Sequence, residues 1–373
     1  MEILHINSYY SGSHFYKNFY DKQVELGLSI DVYVPINKSI SVKNKDFGDF
    51  TKISRNHSKG DRFLFHLKHK KIYKDITQNY ITKKYDIIHA HSLFSNGYIA
   101  YRLKEKYGIP YIVTVRNTDV NTFFKKMIHL RKLGLKILHN ADKVIFLSQS
   151  YKDQVLNRYV PEKYKIKINK KISIIPNGID DYWFCNLNKP KKLSKETELK
   201  LLYIGAINKN KNIITTMEVV KNLTNKGMKI EFTAVGKIED KKIFNLIKDY
   251  QFFKYIPPKP KEELIEIYRS NDIFIMPSIR ESFGLVYAEA MSQGLPIIYT
   301  KNQGFDNQFE NGVNGYSIDP MSVNDISNKI IEINQKYEAI SLNVINNVEK
   351  FKWVKISAEY SEIYRDILTT SKK

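Results

Sequence analysis

Apolar residues in this chain gather into short runs, separated by longer stretches in which they recur every three or four positions. The runs are Ile3–Ile6, Ile30–Val34, Ile87–Ala90, Tyr111–Val115, Val144–Leu147 and Ile172–Ile175, then Lys200–Ile204, Lys229–Val235, Phe252–Ile256, Ile273–Met276 and Pro296–Tyr299. Apolar runs this short predict strands buried on both faces, and the wider spacing between them predicts helices. Strands that alternate with helices form parallel sheets covered on both sides, so the expected fold class is α/β. The alternation pauses after Ile175-Pro-Asn-Gly-Ile179, in the polar stretch Asn186–Glu198 with its Lys-Pro-Lys-Lys-Leu-Ser-Lys run. Two doubly wound domains are therefore expected, over 1–183 and 197–352, with ligands in a cleft where the carboxyl ends of their strands face each other. A final helical pattern places Trp353, Ile356, Tyr360 and Ile367 on one side of the tail 353–373.

A length of 373 residues exceeds what one hydrophobic core usually serves, in agreement with two domains. No apolar run approaches 18 residues, so no membrane-spanning segment is predicted. The first strand begins at Ile3, which leaves no room for a signal peptide and makes a cytoplasmic location the expectation. The single cysteine, Cys185, excludes an internal disulfide framework and fits a reducing compartment. The net charge of +21 is unevenly placed: residues 1–180 hold 32 Lys and Arg against 15 Asp and Glu, and 181–373 hold 28 against 24. Nucleic acid is one partner for a basic chain, but no helix-turn-helix, RNA-binding aromatic signature or zinc finger is present, and none is expected.

The densest chemistry lies in Ser278-Ile-Arg-Glu-Ser-Phe-Gly-Leu-Val-Tyr-Ala-Glu289. It follows the strand-like Asp272-Ile-Phe-Ile-Met-Pro277 and precedes a helix stopped by Gly294-Leu-Pro296. Ser282, Phe283 and Gly284 then sit where a strand becomes a helix, and an anion can take the unpartnered first N–H groups. If the segment is mostly helical, Glu281 and Glu289 lie roughly 12 Å apart along the axis. Glycosidase carboxylates flank one bond at about 5–9.5 Å, so the spacing argues for two grips on one long ligand instead. The plainer alternative is a helix-surface Glu289 and a Glu281 that complements the dipole. His89-x-His91 places two imidazoles on one strand face without an evident third metal ligand, and His66-x-x-His69 reads as a surface pair. Neither a Gly-x-Gly-x-x-Gly fingerprint nor a Walker A loop is present, which disfavours dehydrogenases and NTPases.

Further segments join this motif: Asp86-Ile-Ile-His-Ala-His91, Ile112-Val-Thr-Val115 ahead of Asp119, Ala141-Asp-Lys-Val-Ile-Phe-Leu-Ser148, Ile175-Pro-Asn-Gly-Ile179, Leu202-Tyr-Ile-Gly205 and Glu310-Asn-Gly-Val-Asn-Gly315. With Glu281-x7-Glu289, they make the chain resemble family 4 of the retaining glycosyltransferases over nearly its whole length. The resemblance implies a GT-B fold of two facing Rossmann-like domains. The first would bind the acceptor, the second the nucleotide-sugar donor, and the C-terminal helix 353–373 would return to the first. It implies a donor site of Gly12, Gly205, Lys209, Lys211, Glu281, Ser282, Phe283, Gly284, Leu285 and Glu289, in which Glu281 holds sugar hydroxyls and Glu289 the ribose. His14, His91, Arg116 and Asp119 fall on the acceptor side, and Lys211, Glu281 and Arg116 are the catalytic candidates.

Transfer would retain configuration, with the leaving diphosphate oxygen taking the acceptor's proton, and would need neither metal nor other cofactor. Two positions depart from the family pattern. Ala206 stands where relatives carry a diphosphate-binding arginine, which Lys209 could replace only as a point charge. Arg116-Asn-Thr-Asp119 stands where many relatives show His-Gly-x-Asp, and an arginine cannot accept a proton near neutral pH.

The expected function is therefore sugar transfer from a nucleotide diphosphate donor to a glycan or lipid-linked acceptor in cell-surface polysaccharide assembly. Basic charge concentrates in the acceptor half, so an anionic membrane surface is an expected partner and a peripheral position at the inner face of the membrane follows. Lys59 to Lys74 and Phe123 to Lys136 mix cations with large apolar residues and are the candidate contacts, although the second also fits one ordinary helix packing its Phe, Met, Ile and Leu inward. A nucleotide-sugar 2-epimerase and a non-catalytic glycan-binding relative are the alternatives.

Overall fold

The apolar runs pair as two all-parallel sheets, as their alternation with helices predicts. A computed structural model describes residues 1–12, 15–41, 46–81, 84–193 and 198–370. The first sheet comprises β1 (Glu2–Ile6), β2 (Ser29–Asn37), β3 (Thr51–His57), β4 (Ile87–Ala90), β5 (Tyr111–Val115), β6 (Lys143–Phe146) and β7 (Ile172–Ile174), in the order β3-β2-β1-β4-β5-β6-β7. The second comprises β8 (Leu199–Ile204), β9 (Ile230–Val235), β10 (Phe253–Ile256), β11 (Ile273–Ile275), β12 (Ile297–Thr300) and β13 (Gly315–Ile318), in the order β10-β9-β8-β11-β12-β13. Each order reverses once, between β1 and β4 and between β8 and β11, and such a reversal is where open α/β sheets bind ligands.

Two strands lie outside the apolar runs. β3 reads Thr-Lys-Ile-Ser-Arg-Asn-His and β13 reads Gly-Tyr-Ser-Ile, and both are sheet edges. An edge strand is covered less completely than a central one, so its side chains need not form a continuous apolar run. The stretch Phe123–Lys136 is not one helix either. It divides into a wide π-helical turn Asp119–Phe124, a 3-10 turn Ile128–Leu130 and a helix Arg131–Asn140. The wider turn brings both adjacent rings onto Phe94, Phe123 stacked at 4.7 Å and Phe124 edge-on at 5.0 Å, and Phe124 also stacks on Tyr159 at 4.9 Å. His66 is exposed, but His69 is buried, with Nδ1 on the carbonyl of Phe65 at 2.6 Å, so the two are not a surface pair.

The chain divides into two compact units, 1–178 with 353–373, and 179–352. Residues of the polar stretch before β8 pack on the second unit: Asn188 N–H donates to the Ser292 carbonyl at 3.0 Å and Lys191 N–H to Ser341 Oγ at 2.7 Å.

In the first unit, alternation along the strands sends Leu4, Ile6, Ile88 and Val113 to one core and Ile3, Ile87, Ile112 and Ile145 to the other. The second face is closed by the helices Phe15–Glu25 and Trp353–Thr370. His5 and His89 are direct partners in the β1/β4 register, and His91 follows on the same face. The register thus supplies the third imidazole that the sequence alone did not reveal. Their ring nitrogens are largely committed to neighbours: His5 Nδ1 and His91 Nε2 share a hydrogen bond of 3.0 Å, while His89 holds the Tyr364 and Thr114 hydroxyls at 2.8 and 2.9 Å. Burial keeps all three neutral, with His5 pushed down to about 3 and His89 and His91 well below the ordinary value.

Trp353 seals this core, with its ring 5.1 Å from Phe15 and 5.5 Å from Phe19. Gly178 lies against the indole so closely that a Cβ there would come within 2.5 Å of it. Gly178→Ala must therefore displace a fully packed ring, and we expect a loss of about 1–3 kcal/mol, read as a lower melting temperature. The buried imidazoles set a pH dependence. In the unfolded chain they bind protons below about pH 6.5, whereas the folded state excludes them, so the stability they contribute is present above that pH and lost as pH falls. The urea midpoint should drop between pH 7 and pH 5, and His89→Gln should flatten that slope.

Candidate active site

At the β8/β11 reversal, the loops leaving the two strands are tied to each other. Ile279 N–H donates to the Asn210 carbonyl at 2.8 Å, and Asn210 Nδ2 donates to the Arg280 carbonyl at 2.9 Å. Lys211 N–H donates to Asn208 Oδ1 at 2.9 Å, which orients the residue. Lys211 Nζ then lies 2.6 Å from Glu281 Oε2 and 3.5 Å from Met276 Sδ. Glu281 is held elsewhere too: Oε1 accepts Ser282 N–H at 3.0 Å, its own N–H donates to Gln303 Oε1 at 3.0 Å, and its carbonyl accepts Gly304 N–H at 3.1 Å. Both side chains are mostly buried, so removing either one strands the other's charge. That costs more than the 0–1 kcal/mol typical of a surface pair.

The next residues start the helix Leu285–Ser292. Gly284 caps it at φ +79°, where a Cβ would also meet the Tyr287 ring at 2.5 Å, so no other residue fits. It offers no capping side chain, and the amides of Phe283, Gly284 and Leu285 have no acceptor among the described residues. These donors and the helix dipole make a seat for an anion beside Lys211. Because the helix starts only at Leu285, the spacing estimate based on a continuous helix from Glu281 does not apply.

Glu289 lies one turn into the helix and accepts the Tyr268 hydroxyl at 3.1 Å. Burial pushes its carboxyl up to about 7; Asp180 adds to the rise, while the Tyr268 hydrogen bond and Lys261 oppose it. Phe283 is core, its ring 5.7 Å from Phe305, so only its backbone can meet a ligand. Lys209 is exposed and makes no ion pair among the described residues.

In the first unit, Arg116 follows β5. Its Nη1 donates to Asn177 Oδ1 at 3.0 Å, its Nε to the His91 carbonyl at 3.3 Å, and its guanidinium lies 5.5 Å from the Tyr16 ring centre. It makes no ion pair among the described residues. The space enclosed by Arg116, Tyr16, His91, Asn177 and Trp353 is about 10 Å³, room for one water, so a ligand must meet Arg116 from outside it. Asp119 is fully buried and accepts the N–H groups of Leu93, Phe94 and Arg116 at 2.9, 3.1 and 2.8 Å, which fixes the loops after β4 and β5. Burial pushes its carboxyl up to about 6 despite those bonds. Gly12 is exposed in the turn after β1 with nothing near its missing Cβ, and His14 lies outside the described residues.

Two family profiles together span most of the chain: Glycosyltransferase Family 4 over residues 14–182 and Glycosyl transferases group 1 over 186–350. The chain belongs to the family 4 glycosyltransferases. An Escherichia coli relative, UDP-Gal:alpha-D-GlcNAc-diphosphoundecaprenol alpha-1,3-galactosyltransferase, is 26% identical over 77% of this chain and 76% of its own. Among solved structures, sucrose-phosphate synthase from Thermosynechococcus elongatus superposes with a TM-score of 0.78 at 18% identity, covering 99% of this chain and all of that one. The Anabaena protein HepE in complex with UDP and glucose superposes at 0.65 and 16%, over 98% and 100%. These likenesses show the GT-B fold.

In this glycosyltransferase, the second unit brings Gly205, Lys211, Glu281 and the 282–285 amides into adjoining loops, and the first gathers His91, Arg116 and Asp119. Sequence inspection missed Gln303, which holds Glu281, Asn177, which holds Arg116, and Tyr268, which meets Glu289. Each contact joins residues 21 or more positions apart, and only strand order brings them together. The raised Glu289 yields a signed expectation. The folded state keeps a proton that the unfolded chain releases near pH 4.5, so stability falls as pH rises toward 7. Glu289→Gln should raise the urea midpoint relative to the parent at pH 8 and leave it unchanged at pH 4.

Proposed function

We propose that this glycosyltransferase moves a sugar, with retention of configuration, from a nucleoside diphosphate sugar to a glycan or lipid-linked acceptor during cell-surface polysaccharide assembly. The observation that carries the donor reading is the Lys211–Glu281 pair set against the open amides at Gly284 and Leu285. A diphosphate has the charge and the acceptor atoms for both, and Lys211 can move from Glu281 to a phosphate oxygen by a small side-chain rotation. Charge that builds on the leaving phosphate would be stabilised by Lys211 and the amides, without a protein nucleophile. Glu281, released from Lys211, would accept sugar hydroxyls, and Glu289 the ribose hydroxyls.

On the acceptor side, Arg116 can hold an anionic group of the acceptor, because its guanidinium makes no ion pair among the described residues. HepE with UDP and glucose, and the E. coli relative named for a diphosphoundecaprenol acceptor, support a nucleotide-sugar donor and a lipid-linked acceptor respectively.

The first test is a thermal-shift screen of nucleotide sugars, in which the donor raises the melting temperature by binding the folded state alone. With the donor named, Lys211→Ala is expected to lower kcat by about 10²–10³, as for loss of a charge-stabilising donor, and to lower the melting temperature as well, because Glu281 is left unpaired. Glu281→Gln should weaken donor-sugar discrimination more than nucleoside diphosphate binding. Transfer undiminished in both variants would refute the site, and a new epimer from nucleotide sugar alone would make the enzyme an isomerase.

A further inference from the structure

Tyr268 is fully buried in the helix Lys261–Arg269, its ring edge-on to Trp183 at 5.5 Å and tilted against Phe274 of β11 at 6.2 Å. A phenylalanine would fill that space equally well, so packing alone does not account for the hydroxyl. The phenol has one proton to donate, and its better-placed acceptor is Glu289 Oε2 at 3.1 Å, ahead of the Val286 carbonyl at 3.5 Å. Glu289 is half-buried, and its Oε1 has no hydrogen-bond partner among the described residues. One carboxylate oxygen is thus held from the core while the other is left for a ligand.

The ring is fixed because the segments around it are tied together. Trp183 lies where the chain enters the second unit, and its N–H donates to the Asp180 carbonyl at 3.1 Å. Asp180 also pairs with Lys261, the first residue of the helix that carries Tyr268, at 2.7 Å. Arg269, at the end of that helix, donates to the Asn186 carbonyl at 2.9 Å and to Gln293 Oε1 at 3.1 Å, and Gln293 directly follows the helix that carries Glu289. An unheld glutamate samples several rotamers, and fixing one of them beforehand lowers the entropy lost on binding. Charge is set at the same place. Burial and Asp180 favour the protonated carboxyl, whereas the Tyr268 hydrogen bond and Lys261 favour the ionised form, which only accepts hydrogen bonds.

We propose that Tyr268 is a positioning residue for nucleotide binding: its hydroxyl holds Glu289 Oε2 so that Oε1 stands ready for the ribose hydroxyls. The inference rests on the reading of Glu289 as the ribose ligand, and adds the group that keeps this carboxylate in one place and one charge state. A preference for ribonucleotides over nucleotides that lack the ribose hydroxyls follows. A proton on Glu289 weakens its grip, so that preference grows as pH rises through about 7. Without the phenol, a bond made to the ionised form is gone, and the rise moves to higher pH.

The test is calorimetric titration of the full chain with UDP, ADP and GDP and with their 2′,3′-dideoxy forms at pH 6, 7.5 and 9. The ratio of the two dissociation constants is read on one preparation, so a partly misfolded variant does not distort it. The parent should bind its ribonucleotide at least about tenfold more tightly than the dideoxy form at pH 7.5. Tyr268→Phe should lower that ratio about fivefold, leave the dideoxy constant unchanged and displace the rise with pH upward. Glu289→Ala should abolish the preference at every pH. If the parent binds none of the three or shows no preference, or if Glu289→Ala keeps the preference, Glu289 is not the ribose ligand and the reading beneath the inference falls. If Glu289→Ala loses the preference while Tyr268→Phe keeps it with the parent's pH dependence, the ribose ligand stands and the role of Tyr268 is overturned. Equal loss of both nucleotide forms in Tyr268→Phe overturns that role as well, since the hydroxyl would then serve only the packing of the unit.

Discussion

Where neighbouring parallel strands send their crossovers to opposite faces of a sheet, neither crossover covers the ends of the strands, and the backbone there stays open. That constraint governs the second unit at β8 and β11. The exposed loops cannot complete their hydrogen bonding through the sheet, so they bond to each other through Asn210, Ile279 and Arg280. This tie sets the Lys211 ammonium on the Glu281 carboxylate, and Gly284 then starts a helix whose first amides remain available. A cation, a carboxylate and several free donors within two short loops suit a charged, hydroxyl-rich ligand far better than an apolar one.

Much of this was legible in the sequence because the chemistry there is local. Strands buried on two faces need unbroken apolar runs, so β1, β4, β5, β8 and β11 announce themselves. The Ser-Phe-Gly turn between Glu281 and Leu285 shows in residue types alone. The edge strands β3 and β13 escaped because partial cover relaxes the demand for apolar residues. The exact start of the helix at Leu285 escaped because it depends on the left-handed cap at Gly284, a matter of backbone angle and not of periodicity. Long-range partners were beyond reach in principle: no spacing rule connects His5 with His91, or Glu281 with Gln303, until strand register is known.

The first unit shows how the same sheet edge can serve two ends. Asp119, expected on the acceptor side, is consumed in pinning the loops after β4 and β5, and that pinning holds Arg116 in place without an ion pair among the described residues. The histidines behind it are kept uncharged by burial, so they add no positive charge beside Arg116. A residue with a structural task and one free to meet a ligand stand three positions apart.

The chain leaves the first unit after Gly178 and re-enters it at Trp353, and the two ends of the intervening unit meet where Ile179 pairs with Lys352. Topologically the second unit is an insert whose entry and exit lie side by side. A foreign sequence of similar end-to-end span could be grafted there without breaking a strand of either sheet, and a family built this way can exchange one half by recombination while inheriting the other intact.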